Sequence, residues 1–141
     1  MLSTPQCGWS TMKIGKFKKK VSYLTDVPND LLHAMINFLE TGSGAATFEC
    51  EPYKFDLILS HNFAKTDAAV PYIVSWKRKI YVENVSVIEL AAEVYHDIKT
   101  DLDAWSEWGH ETTTPEIVKQ NKQIITKNLE HLEKLLANQP G

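Results

Sequence analysis

The sequence predicts an α+β fold in which an antiparallel sheet of about four strands packs against three main helices. Apolar residues recur at three- and four-residue steps in three separate segments, which is the period of a helix facing a core. Over residues 47–82 the apolar period falls to two, as in strands. The strand signals are grouped and do not alternate with the helical ones, which favours an antiparallel sheet over βαβ units.

Length and composition predict a single domain over residues 1–141. The chain is 43% hydrophobic and 23% charged, with a net charge of −3, as in ordinary globular proteins. Its apolar runs are too short to cross a membrane, and its two cysteines lack disulfide or zinc spacing. We therefore expect a cytoplasmic protein without a cofactor. Residues 1–11 carry Pro, Gly and Ser without a period, which predicts a loose leader.

The amino-terminal half begins with two short alternating segments, residues 13–17 and 20–24, whose lysines suit an edge strand. A helix is predicted to begin near Asp26, with Pro28 at its first position, and to end in the Thr-Gly-Ser-Gly of residues 41–44. Its apolar side is formed by Leu31, Leu32, Met35, Ile36 and Leu39.

Two hairpins are predicted to follow this helix. Residues 47–51 and 55–60 read as the strands of the first hairpin, with Phe55, Leu57 and Leu59 on one face. Residues 72–76 and 80–82 read as the second, with Lys77-Arg78-Lys79 at its turn. Cys50 is interpreted as a small core or edge residue of the first hairpin.

The central element is a helix predicted from Ser86 to Gly109. Ser86 and Glu89 have capping-box spacing, and Gly109 suits a left-handed helix end. The apolar side consists of Ala91, Val94, Tyr95, Ile98, Leu102 and Trp105. A last helix runs to about Ala137. Two starts are possible for this helix. Either Thr113 is the N-cap and Glu116 completes a capping box with it, or Thr114 is the N-cap and Pro115 takes the first helical position.

Carboxylates concentrate on the central helix. Glu89, Glu93, Asp97 and Asp101 are spaced by four, and residues 83–111 hold eight acids against Lys99 alone. This pattern is typical either of a solvated face or of a docking surface for a basic partner.

The tryptophans at the end of this helix also have two interpretations. Trp105 and Trp108, with Trp76 and Tyr95, are expected to form an aromatic cluster in which Trp108 covers the end of the core. Alternatively, Trp108 is an exposed anchor ringed by Asp103, Glu107 and Glu111, which is the composition of a binding hot spot.

Motifs for chemistry are sparse. Glu93 and His96 have the Glu-x-x-His spacing of di-metal bundle helices, and Asp97 follows, but no second such motif accompanies them. A surface histidine is the simpler interpretation. Nucleic-acid binding is disfavoured because the lysines gather near the amino end, Arg78 is the one arginine, and the main exposed helix is acidic.

Over residues 22–108 the chain resembles the small bacterial immunity proteins of polymorphic toxin systems. The segments that carry the resemblance are Asp26-Val27-Pro28, Phe48-Glu49-Cys50-Glu51, Phe55-Asp56-Leu57-Ile58, Glu89-Leu90-Ala91-Ala92-Glu93 and Asp101-Leu102-Asp103-Ala104-Trp105. The resemblance implies a non-catalytic protein that blocks a basic toxin surface.

We therefore predict a protein-binding module with no catalytic or metal-ligating residues. Its expected partner-binding residues are Glu93, Asp97, Asp101, Asp103, Glu107 and Trp108. Two alternatives remain: a small metal-dependent enzyme using Glu93, His96 and Asp97, and a structural protein that forms a homodimer through an exposed apolar patch.

Overall fold

The computed structural model of the protein describes residues 1–60, 70–75, 77–109 and 114–139. Within these residues it confirms the α+β class, with a four-stranded antiparallel sheet, a separate two-stranded hairpin and three main helices. The elements in chain order are β1 (Trp9–Ile14), β2 (Phe17–Ser22), α1 (Val27–Thr41), β3 (Ser43–Glu49), β4 (Lys54–Ser60), β5 (Val70–Ser75), β6 (Ile80–Val82), α2 (Val87–Thr100), α3 (Leu102–Ser106) and α4 (Pro115–Ala137).

The four-stranded sheet has the order β3-β4-β5-β6, and α1 packs on one of its faces. Phe55, Leu57 and Leu59 are buried on that face, as their alternation predicts. The helix lies so close to β3 that a Cβ at Gly44 would stand 2.1 Å from the carbonyl oxygen of Ala34. A glycine is therefore needed where the helix crosses the strand.

The hairpin of β1 and β2 is not hydrogen-bonded into the four-stranded sheet but packs beside it, and the amino-terminal residues pack against the hairpin. The prediction of a loose leader over residues 1–11 is wrong. Trp9 already belongs to β1, and Leu2 pairs with Met12 as an isolated bridge while its side chain is 8% exposed. Residues 1–8 are fixed by side-chain contacts and isolated bridges rather than by regular secondary structure. Such contacts leave no periodic pattern in the sequence, so periodicity does not predict them.

Helix α1 begins and ends close to the predicted positions. Asp26 is the N-cap residue, but its side chain makes no cap bond to the backbone, and its carboxylate instead accepts a hydrogen bond from the side-chain Nδ2–H of Asn29. Gly42 ends the helix with a φ of 89°, and its N–H donates to the carbonyl of Phe38. The strand follows at once, because β3 begins at Ser43 rather than at the predicted residue 47.

The single helix predicted from residue 86 to 109 is in fact two helices. Ser86 caps α2 by accepting a hydrogen bond from the N–H of Glu89, as predicted. The backbone leaves helical geometry at Asp101, where φ is −107° and ψ is 34°, and α3 follows. The apolar spacing runs on across this one-residue break, so the sequence pattern does not reveal it. Gly109 has a φ of 147°, which is outside the left-handed helical region but suits glycine.

Helix α4 packs against the three other helices. Thr114 is its cap, with Pro115 in the first position, and the threonine oxygen accepts a hydrogen bond from the N–H of Ile117 at 3.3 Å. This confirms one of the two predicted starts, and Thr113 of the other lies outside the described residues. In the described part of the chain no helix combines the length and apolarity that a membrane crossing requires.

Candidate partner-binding surface

The amino-terminal segment, residues 1–4, covers the middle of the acidic row, which consists of Glu89, Glu93, Asp97 and Asp101. One carboxylate oxygen of Asp97 accepts hydrogen bonds from the Leu2 N–H at 3.0 Å and from the Met1 amino group at 2.9 Å. The Thr4 hydroxyl donates to Asp101 at 2.9 Å, and the Met1 amino group lies 3.6 Å from the carboxylate of Glu93. Asp97 and Asp101 therefore hold part of the fold together, which the sequence did not suggest.

The single lysine of the acidic stretch does not pair with this row. Lys99 donates a hydrogen bond to the Tyr95 hydroxyl at 3.1 Å, and that hydroxyl donates to Glu133 on α4. The hydrogen bond to Tyr95 and the nearby charge of Glu133 raise the pKa of Lys99 above its usual value. Lys99 is thus directed toward α4, so it leaves Glu89 and Glu93 without a counter-ion on their own helix.

Glu89 and Glu93 of the acidic row, and the later carboxylates Asp103 and Glu107, remain on the surface. The side chain of Glu93 is 60% exposed, and Glu89 and Glu107 are also exposed. Asp103 is 88% exposed and pairs with Lys122 of α4 at 2.7 Å. An exposed pair of this kind contributes about 0 to 1 kcal/mol, so a partner can displace it at small cost. We call Glu89, Glu93, Asp103 and Glu107 the acidic surface.

Trp108 does not belong to this surface. It is 9% exposed, its ring stands 5.0 Å from that of Trp105, and its Nε1–H donates to the carbonyl of Thr25 at 2.8 Å. The interpretation in which Trp105 is core and Trp108 covers its end is confirmed. The alternative, in which Trp108 is an exposed anchor, is wrong because the ring is buried and its N–H is bonded to Thr25. Trp76 and Glu111, which entered those interpretations, lie outside the described residues.

The Glu-x-x-His segment shows no metal geometry. His96 is exposed, and Asp97 is engaged by the amino-terminal segment. Among the residues that the structure describes, no three His, Cys, Asp or Glu side chains are grouped closely enough to hold a metal ion. His61 and His110 lie outside that part of the chain.

Two lysine clusters that are distant in sequence meet around one groove. It lies where the turn between β3 and β4, the turn between β5 and β6, and the strand β2 come together, and its volume is about 560 Å³. We call it the lysine groove; its lysines are Lys19, Lys20, Lys54, Lys77 and Lys79. Sequence reasoning missed it because only the packing of the hairpin beside the sheet joins the two clusters.

The lysine groove also contains aromatic rings and a thiol. Phe17 contacts both Phe55 and Tyr81, with ring centroids at 5.0 and 5.6 Å, and Tyr53 lies at the edge with 46% of its surface exposed. Cys50 is half-buried among them, and this burial raises the pKa of its thiol despite the nearby charge of Lys19. A smaller fraction of this thiol is therefore ionised at neutral pH than in an exposed cysteine.

The face of the sheet opposite α1 carries apolar side chains at the surface. Ile58, Tyr72 and Val82 are cross-strand neighbours along one row. Their neighbour Ile80 is 62% exposed, Val82 is 57% exposed and Ile58 is 37% exposed. We call Ile58, Tyr72, Ile80 and Val82 the apolar sheet face. It matches the exposed patch that the homodimer alternative requires.

The chain matches no protein-family model, and neither the curated proteins nor the solved structures include a significant match to it.

Proposed function

We propose that the protein is a non-catalytic protein-binding module whose acidic surface docks on a basic protein. The observation that carries the proposal is that Glu89, Glu93 and Glu107 remain exposed after the internal contacts of the acidic row are accounted for. Exposed like charges speed association with an oppositely charged partner and select against acidic ones. The resemblance to immunity proteins supports a toxin domain with a basic active-site cleft as that partner.

The structure changes which carboxylates this proposal uses. Of the six residues predicted to bind the partner, Glu93, Asp103 and Glu107 present their side chains to solvent. Asp97, with 22% of its side chain exposed, acts with Asp101 as an anchor for the amino-terminal segment. These two contribute negative potential at the surface, but direct pairing with a partner would compete with their internal hydrogen bonds.

The test uses the protein encoded beside this chain as the partner, and affinity is measured at several salt concentrations. The triple variant Glu93→Lys, Asp103→Lys and Glu107→Lys should weaken binding at least about tenfold and flatten its salt dependence, because three attractive charges become repulsive. The matched control reverses the exposed Glu116 and Glu130 of α4 and changes the exposed Gln120 and Gln123 to lysine, which alters net charge by the same amount. The proposal is contradicted if the control loses as much affinity as the triple variant, or if the triple variant loses none.

The apolar sheet face favours a second candidate, a homodimer. Two copies that join these faces would remove Ile80 and Val82 from water, and burial of such side chains stabilises by roughly 1.5 to 3 kcal/mol each. Sedimentation over a range of concentrations tests it. Val82→Lys should leave only monomer, whereas Ile124→Lys on the exposed side of α4 should not change the association. A monomeric wild type at every concentration excludes this candidate.

A further inference from the structure

We propose that the lysine groove is a second, separate binding site, and that it takes single-stranded nucleic acid. This goes beyond the proposed docking of a basic protein, since it concerns another surface and an anionic ligand. The chemistry it requires is a flexible chain of phosphates with unpaired bases, which both single-stranded RNA and single-stranded DNA supply.

Three of the five lysines that line the groove have no ion-pair partner among the residues that the structure describes. Lys19, Lys20 and Lys54 are exposed, and none of them makes an ion pair with a described residue. One carboxylate, Glu51, also lines the groove. Several ammonium groups that face one cleft repel one another, and a phosphate backbone relieves that repulsion by placing a negative charge near each of them.

The aromatic rings distinguish nucleic acid from other polyanions. Tyr53 presents nearly half of its surface at the edge of the groove, and the Nζ of Lys79 stands 5.2 Å from the centre of the Tyr81 ring. A base can stack on the exposed part of the Tyr53 ring while its phosphate meets a neighbouring lysine, whereas the Tyr81 ring is already contacted by Lys79 and Phe17. An acidic peptide would use the lysines, but its carboxylates gain nothing from the rings. The combination therefore favours unpaired bases.

The elements around the groove favour a single strand over a duplex. The groove is lined by β2 and by the turns that connect β3 to β4 and β5 to β6. Together they form a cleft of about 560 Å³. An element that reads a duplex projects from the protein into the major groove, whereas strand β2 here forms one wall of a concave cleft. A concave site between turns accommodates a few splayed nucleotides instead, and its volume is in the range of ordinary ligand clefts.

Fluorescence anisotropy of labelled oligonucleotides of about 15 residues, the length that a small single-strand binder covers, tests the proposal. RNA and DNA of the same sequence serve as separate probes at low salt. The wild type should bind at least one of them, with an affinity that falls as salt rises. The double variant Lys19→Glu and Lys54→Glu should weaken binding at least about tenfold, and Tyr53→Ala should weaken it about fivefold or more.

The matched control is Lys119→Glu with Lys127→Glu, two exposed lysines of α4 that make no ion pair with a described residue. It changes net charge by the same amount and, when the variants are compared at about 0.1 M salt, should bind within about twofold of wild type, because the Debye length is then about 10 Å and repulsion from distant charges is largely screened. Far-UV circular dichroism checks that each variant is folded. Three results each overturn the proposal: no binding of either probe, equal loss in the control, or equally tight binding of polyglutamate or of the duplex.

Discussion

At the scale of single residues, Cys50 provides a direct test of the environment of the lysine groove. Burial raises the pKa of its thiol, so at any pH below that pKa a smaller fraction is thiolate than in an exposed cysteine. In a Cys7→Ser variant, alkylation of Cys50 should be slower at pH 7 to 8 than that of a cysteine peptide. Its rate should reach half of its maximum at a higher pH than in the peptide. Faster alkylation than the peptide at pH 7 would show an activated thiol instead.

Gly44 tests the closest approach of α1 to the sheet. A Cβ at this position would stand 2.1 Å from the Ala34 carbonyl oxygen, which is backbone and cannot rotate away. Gly44→Ala should therefore destabilise the protein by roughly 2 to 3 kcal/mol, as overpacking of a core does. Ala45→Ser adds one atom on the exposed opposite face and should change stability by less than about 0.5 kcal/mol. Urea unfolding compares the two, and equal stabilities would show that the helix can shift without cost.

At the scale of elements, the structure makes the amino-terminal segment part of the packing around α2. Asp97→Asn weakens the acceptor for the Leu2 N–H and removes the charge that attracts the Met1 amino group. We expect the free energy of unfolding to fall by about 1 kcal/mol. The loss is smaller than for a fully buried charged hydrogen bond because Asp97 is partly exposed. Hydrogen exchange of residues 2–13 should accelerate, whereas the exposed Glu130→Gln on α4 should leave it unchanged. Unaltered exchange in the Asp97 variant would show that other contacts hold the segment.

Signals that act within a few residues predicted most of the helices and strands. The errors arise where residues that are far apart in sequence contact one another. Ser86 before Glu89, Pro115 after Thr114 and the alternation of Phe55, Leu57 and Leu59 act within a few residues, so the sequence carries them. The docking of Leu2 on Asp97 joins residues 95 positions apart, and no period announces it. The same holds for Trp108, whose ring N–H donates to a carbonyl 83 positions away and thereby becomes covered.

At the scale of the whole molecule, the charge of the chain separates into two surfaces. The sequence shows an acidic central segment and two lysine clusters, but it does not show that the clusters share one groove or that part of the acidic row is used internally. A net charge of −3 conceals this separation. We therefore propose two kinds of ligand for two surfaces, a basic protein for the acidic surface and single-stranded nucleic acid for the lysine groove.

Backbone-amide NMR with two defined probes, a short oligolysine peptide and a single-stranded oligonucleotide, tests this separation most directly. The account expects oligolysine to shift the amides around Glu89, Glu93 and Glu107 and to leave the Leu2 amide unchanged. The oligonucleotide should instead shift those around Lys19, Lys54 and Lys79. Shifts at the same residues with both probes, or an oligolysine response centred on Leu2 and Asp97, would contradict the assignment of two separate binding surfaces.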